Sequence, residues 1–198
     1  MNNLKTDSEE ASNVFDLPFH KKCELIKVLS LLFTMGLVLF TFILDDREIG
    51  INLYVYKAVA ALIDIPFTFS LAPLIEKYSH KFCLKNGFFI CIITNLTVIL
   101  LKIYGLDEHY TAIMLLLNFV GRSVVCMIWN LGYVLMAGLM PSKVRASCLG
   151  FAVAAAYIGA AVAPQVLVTK AMFSSFPEIV CGFVVVCDFV FIWSLPEP

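Results

Sequence analysis

Residues 146–168 read ASCLGFAVAAAYIGAAVAPQVLV, a run without one charged side chain. Wound as a helix it rises roughly 34 Å, enough to cross a hydrocarbon core ~30 Å thick. Five further stretches of the same character lie at approximately 28–44, 51–75, 87–103, 111–138 and 179–195. Nothing between or around them is long enough to form a soluble domain. Hydrophobic residues make up 61% of the 198-residue chain, and the mean hydropathy is +0.90, beyond what a water-soluble fold of this size carries. The fold class is therefore all-α, a membrane protein of six transmembrane helices.

The same stretch says how its helix packs. Ala152, Ala156 and Ala160 recur at four-residue spacing, as do Ala155, Gly159 and Ala163. Small residues at this spacing let helix backbones approach closely in lipid, where van der Waals contact drives association. This helix is expected to pack against protein on two faces. Pro164 near its end, and Pro66 midway along the second span, each remove a backbone hydrogen bond and permit a kink.

Charge is scarce and unevenly placed. Residues 1–27 form a polar N-terminal segment beginning MNNLKTDSEE, without the basic start and short apolar core of a cleaved signal. With this segment cytoplasmic, the inner flanks hold Lys5, Lys21, Lys22, Lys27, Lys77, Lys81, Lys85, Lys143 and Arg145. The outer flanks hold Arg47, Lys102 and Lys170 beside Asp45, Asp46, Glu48, Asp107, Glu108 and Glu178. Nine inner basic residues against three outer ones predict that both termini are cytoplasmic. A net charge of −1 and an isoelectric point near 6.3, with no basic stripe, exclude a nucleic-acid partner.

Enzyme chemistry finds no foothold. Dinucleotide, phosphate-loop, zinc-protease and nucleophile-elbow motifs are all missing, so no cofactor or metal is expected. The seven cysteines (Cys23, Cys83, Cys91, Cys126, Cys148, Cys181 and Cys187) are scattered, mostly within apolar runs, and read as small buried residues. His20, His80 and His109 fall in loops or at span edges. Asn95 opens a glycosylation triplet but lies mid-span, where no glycan can be attached.

The charges inside the spans are the candidates for function. A charged group near the bilayer centre costs at least ~2.5 kcal/mol on insertion scales, so it faces a polar cavity or a partner. Lys57 and Asp64 are seven residues apart on the second span. They share one face, about 10 Å apart along the axis, with Tyr54 and Phe67 flanking it and able to stack on an organic cation or ring. Either the two line a solute pathway or each pairs with another helix. Arg122 lies on the fourth span, with Trp129 on the same face and Asn130 beside it. It can attract an anionic group or pair with Asp64. Asp188, in VVCDFVF of the last span, has no evident basic partner; it is either protonated or set against lipid.

These residues carry a family resemblance. Gly121-Arg122, the turn Ala137-Gly-Leu-Met-Pro141-Ser-Lys-Val-Arg145, and Ile158-Gly159 with Pro164 resemble a glycine-basic pair, an "(A/G)ELYPTxxR" turn and an "(I/V)G…P" helix. Together these mark the C-terminal half of major facilitator transporters of the organic cation/anion branch of the solute carriers. Ile63-Asp64-Ile65-Pro66 is similar to that family's eighth helix. Val14-Phe15-Asp16-Leu17-Pro18 with Lys21-Lys22, and the closing Leu195-Pro196-Glu197, match its central loop and terminus.

The resemblance implies half of a major facilitator fold, in which two six-helix halves hold the solute between them at the midplane. It implies alternating-access transport of a small organic solute or ion in the plasma membrane. The partner would be a second six-helix half or a homologous carrier. Substrate contacts would fall on Lys57, Asp64, Arg122, Trp129, Asn130 and Tyr157, the last at the position where the family sets charge preference. Asn130 fits the anion type, and Asp64 fits either.

Glu76, Lys77, Lys81 and Arg145 stand where the family's inner-gate signature lies. That signature departs from pattern as Glu76-Lys77-Tyr78-Ser79-His80-Lys81, and Gly138 replaces the turn's glutamate. These losses also allow a second expectation, a truncated, non-transporting protein that associates with a full-length carrier. A lone half would leave Lys57, Asp64 and Arg122 against lipid unless another half covered them.

Overall fold

The computed structural model describes residues 14, 18–44, 53–104, 111–171 and 175–193. Six α-helices account for nearly all of them: α1 Phe19–Leu44, α2 Leu53–Lys77, α3 His80–Ile103, α4 Thr111–Leu139, α5 Arg145–Val168 and α6 Phe176–Trp193. A 3₁₀ turn, Thr169–Ala171, closes α5. The first five are long and apolar enough to cross a membrane. The chain is an integral membrane protein. His109, Phe15 to Leu17, the closing Leu195-Pro196-Glu197 and the acidic flanks Asp45, Asp46, Glu48, Asp107 and Glu108 lie outside the described residues.

Each helix overlaps one apolar run. α1 begins at Phe19, well before its apolar core, and α3 begins at His80, where the Ser79 hydroxyl caps it by accepting from the Phe82 amide. α2 runs unbroken through Pro66 and Pro73, and α5 through Pro164. Their backbone conformation stays helical even where the ring removes a donor.

α1 is the hub, packed on α5, α4 and α6, and most extensively on α5. The reason is backbone proximity. A Cβ added at Gly36 would lie 2.1 Å from the Ala156 carbonyl oxygen, and one at Gly159 would lie 2.0 Å from that of Phe33. Only glycine fits at either crossing position. Ala152, Ala156, Gly159, Ala160 and Ala163 are buried along this seam. The opposite side of α5, carrying Tyr157 and Ile158, is exposed. Members of both small-residue stripes are spent on α1, and α5 meets α4 and α6 more lightly.

α2 is the outlier. It packs chiefly on α4, touches α3 lightly, and exposes most of its length. α3, α4 and α6 complete the bundle around a core that includes Phe88, Ile128, Leu131 and Val185.

Polar ties fasten both ends. At the end where α1 starts, Lys21 Nζ donates to Glu24 Oε2 at 2.7 Å and to the Leu139 carbonyl at 3.2 Å, joining α1 to the last turn of α4. His20 meets the same carboxylate at 2.9 Å, and Glu24 is buried. At the far end Lys102, closing α3, pairs with Glu178, opening α6. A cation at a helix C-terminus and an acid at a helix N-terminus both suit the helix dipoles.

Candidate solute site

The membrane-centre charges converge on the α2–α4 seam. Asp64 lies about 16 Å into α2, and Arg122 the same distance into α4. Arg122 Nη2 is 3.2 Å from Asp64 Oδ2, with 17% of the arginine side chain and 18% of the aspartate side chain exposed. Ser123 Oγ donates to Asp64 Oδ1 at 2.7 Å. Each carboxylate oxygen thus has its own donor. The pairing is one of the alternatives the sequence leaves open for Arg122: each charge neutralises the other within the chain. Arg122 Nε is buried and has no hydrogen-bond partner among the described residues.

Farther along α4 the same side carries Cys126, Asn130 and the aromatic pair. Asn130 Nδ2 donates back to the Cys126 carbonyl at 2.9 Å. Trp129 and Tyr133 meet edge to face with ring centroids 5.7 Å apart. Tyr157 of α5 is 61% exposed. Tyr56 stacks on Phe119 at 5.1 Å, fixing the other end of α2 to α4. The structure therefore brings Asp64 to Arg122, and Trp129 to Tyr133. Lys57 is exposed on α2, two turns from Asp64.

Such a surface has definite chemistry. An aromatic organic ion can stack on the face of one of the Trp129 and Tyr133 rings, which stand edge to face. An anionic group can compete with Asp64 for Arg122, whose guanidinium keeps one donor unspent. A cationic group can compete with Arg122 for Asp64. Exchange of partners costs less than opening an unpaired charge, because a broken buried pair leaves an uncompensated ion behind.

Arg145 donates to the Met140 carbonyl at 3.5 Å, and Lys77 sits 5.6 Å from the Tyr78 ring. Among the described residues no ion pair joins Arg145 to Glu76. Asp188 is not set against lipid: it is 3% exposed, and Ser30 Oγ of α1 donates to its Oδ1 at 3.2 Å.

The polar ties at the two ends of the bundle escaped the sequence reading. Glu24 carried a signal, since His20 and Lys21 precede it by four and three residues, a spacing that places them together on a helix. The Lys102–Glu178 and Lys21–Leu139 ties had none, being contacts between distant parts of the chain.

No family model matches the chain. Curated proteins do. The mouse protein solute carrier family 22 member 21 is 21% identical over 201 residues, covering 99% of this chain and 35% of its own length. The organic cation/carnitine transporter 4 of Arabidopsis thaliana is 26% identical over 164 residues, covering 82% of this chain and 30% of its own. Mouse solute carrier family 22 member 12 is 25% identical over 169 residues, with 83% and 29% covered. This chain is related to the solute carrier 22 transporters. It spans about a third of the length of those relatives.

Proposed function

We propose that the chain forms the C-terminal half of an organic ion carrier of the major facilitator type, moving a small organic solute by alternating access. The Asp64–Arg122 pair carries the reading: two opposite charges meet within the apolar helices α2 and α4, on the seam of the most exposed helix, with the Trp129–Tyr133 aromatic pair farther along α4. The whole-length match to carriers supports it. Solute would bind at Lys57, Asp64, Arg122, Trp129, Asn130 and Tyr157. A second six-helix half would cover the exposed face of α2, and Glu76, Lys77, Lys81 and Arg145 would act at the inner gate. Both termini would be cytoplasmic, in the plasma membrane.

The test is uptake by proteoliposomes holding this chain together with a covering half. Radiolabelled organic cations and anions should enter, and Asp64→Asn should abolish entry while leaving the protein folded. Uptake unchanged by the substitution would remove the site. Copurification with a full-length carrier, with no uptake in any pairing, would favour the non-transporting reading that Gly138 and the altered Glu76–Lys81 segment suggest.

A further inference from the structure

Asp64 and Asp188 are the two acids inside the apolar runs, and their surroundings differ. Each oxygen of Asp64 has its own donor, Arg122 on Oδ2 and Ser123 on Oδ1. That is what an ionised carboxylate requires, because it can only accept. Asp188 has less. Ser30 Oγ of α1 donates to Oδ1 at 3.2 Å, and the buried Thr34 hydroxyl, one turn on, also hydrogen-bonds to this carboxyl. Oδ2 is buried, and nothing among the described residues donates to it. The residue is 3% exposed, so water does not supply the missing donor. A carboxylate held only by neutral hydroxyls in a dry site is heavily penalised. A carboxylic acid brings its own hydrogen to the second oxygen and has no charge to compensate.

Among the described residues no cation pairs with Asp188. On α1 the Ser30 face carries Lys27 one turn back and Cys23 two turns back. Lys102 of α3 meets Glu178 at the start of α6, so Asp188, ten residues on, is level with about Ile92 of α3. The nearest titratable side chain there is the buried Cys91 thiol, with Lys85 two turns beyond. α5 touches α6 lightly and brings the buried Cys148, while its Arg145 donates to the Met140 carbonyl. Lys170, in the 3₁₀ turn, belongs to the opposite end of α6. On α6 itself Cys187 adjoins Asp188, and Cys181 lies two turns back.

Ser30 provides the way out. It is half-buried and lies two residues inside the apolar run that begins at Val28, so its hydroxyl links the buried acid to the end of the span.

We propose that Asp188 is a proton-binding site, its Oδ2 carrying a proton while α6 is packed on α1 and releasing it at the Ser30 end when the two helices separate. On release the O–H bond breaks, the electron pair stays on Oδ2 and the proton passes to water. The ligand is the proton itself, and the site is separate from the Asp64–Arg122 pair on the other side of the bundle's polar chemistry.

The test reconstitutes the full chain in nanodiscs at neutral pH and reads it by infrared spectroscopy, where a protonated carboxylic acid has a carbonyl band apart from those of carboxylates and amides. The unmodified chain should show this band, moved to lower frequency in heavy water. Asp188→Asn, which resembles the protonated acid, should lose the band and keep its helicity and melting temperature. Asp188→Glu and Ser30→Ala should each keep the band and shift it, so the assignment survives a failure of Asp188→Asn to fold. Raising the pH should lower the melting temperature of the unmodified chain more than that of Asp188→Asn, since the packed bundle binds a proton that the separated helices release. A band absent from the unmodified chain, or unmoved in both Asp188→Glu and Ser30→Ala, would overturn the proposal. So would a band that emerges only in Lys27→Gln, which would make the lysine a counter-ion, or one lost when sodium chloride replaces choline chloride, which would make the ligand a metal cation. No solute enters this readout, so failure of the carrier reading leaves it intact.

Discussion

Two of the seams in the bundle are built from opposite materials. Between α1 and α5 the backbones touch, with Gly36 and Gly159 at the crossing and alanines around them. Between α2 and α4 an ion pair, a serine and a stacked aromatic pair make the contact. Dispersion between closely fitted surfaces depends steeply on distance and tolerates no sliding. A polar contact can be remade with a different partner. The first seam therefore behaves as a rigid frame, and the second as the place where a helix can shift or a solute can substitute for a side chain.

The largest effect should come from breaking the frame. Gly159→Leu should force the helices apart and cost more than about 3 kcal/mol, at the upper end of overpacking penalties, read as loss of the thermal transition and of monodispersity in detergent. Gly150 lies on the same helix with nothing within 4 Å of an added Cβ. Gly150→Leu should change stability by less than about 0.5 kcal/mol. Comparable losses from both would mean that added bulk anywhere on α5, not close approach at the seam, sets the outcome, since leucine favours the helix over glycine at either position.

At the second seam the size depends on how the pair is removed. Arg122→Leu leaves Asp64 ionised in a largely dry site and should destabilise by about 3 kcal/mol. The double variant Asp64→Asn/Arg122→Gln should lose only about 1 kcal/mol, since interhelical polar contacts within bilayers are individually weak. If the double variant is no more stable than the single, the seam owes its strength to geometry rather than to charge compensation.

These differences also mark what the sequence discloses. Hydropathy alone delimits six helices, because lipid requires each span to satisfy its own backbone. Spacing of Ala152, Ala156 and Ala160 announces a close approach. It does not name the partner, since a small-residue stripe describes one surface only; that α1 supplies Gly36 opposite it is a tertiary fact. The Asp64–Arg122 pair was legible as one of two alternatives: residues of opposite charge at mid-span must be neutralised, but by solute or by each other the sequence does not say. Asp188 was less legible, because α6 is apolar on every side and gives no sign of which side is buried. The resemblance to organic ion carriers was readable from the Gly121-Arg122 pair and the Pro141 turn, and the relatives bear it out.

The smallest effect should come at the bundle's end, and salt should separate it from the frame. Lys21 bridges Glu24 and the last turn of α4, with 28% of its side chain exposed. Lys21→Met should cost about 1 kcal/mol, the sum of a partly exposed pair and a cation at a helix C-terminus. Adding Glu24→Gln should recover much of that by removing the stranded carboxylate. Raising the ionic strength from ~0.1 to ~1 M shortens the Debye length from about 10 to about 3 Å, so the Lys21 effect should shrink toward zero. The Gly159→Leu effect should not move, because no charge takes part in it. A salt-insensitive Lys21 effect would show that the lysine stem acts by packing against α4, and the end of the bundle would then belong with the frame instead of with the polar seam.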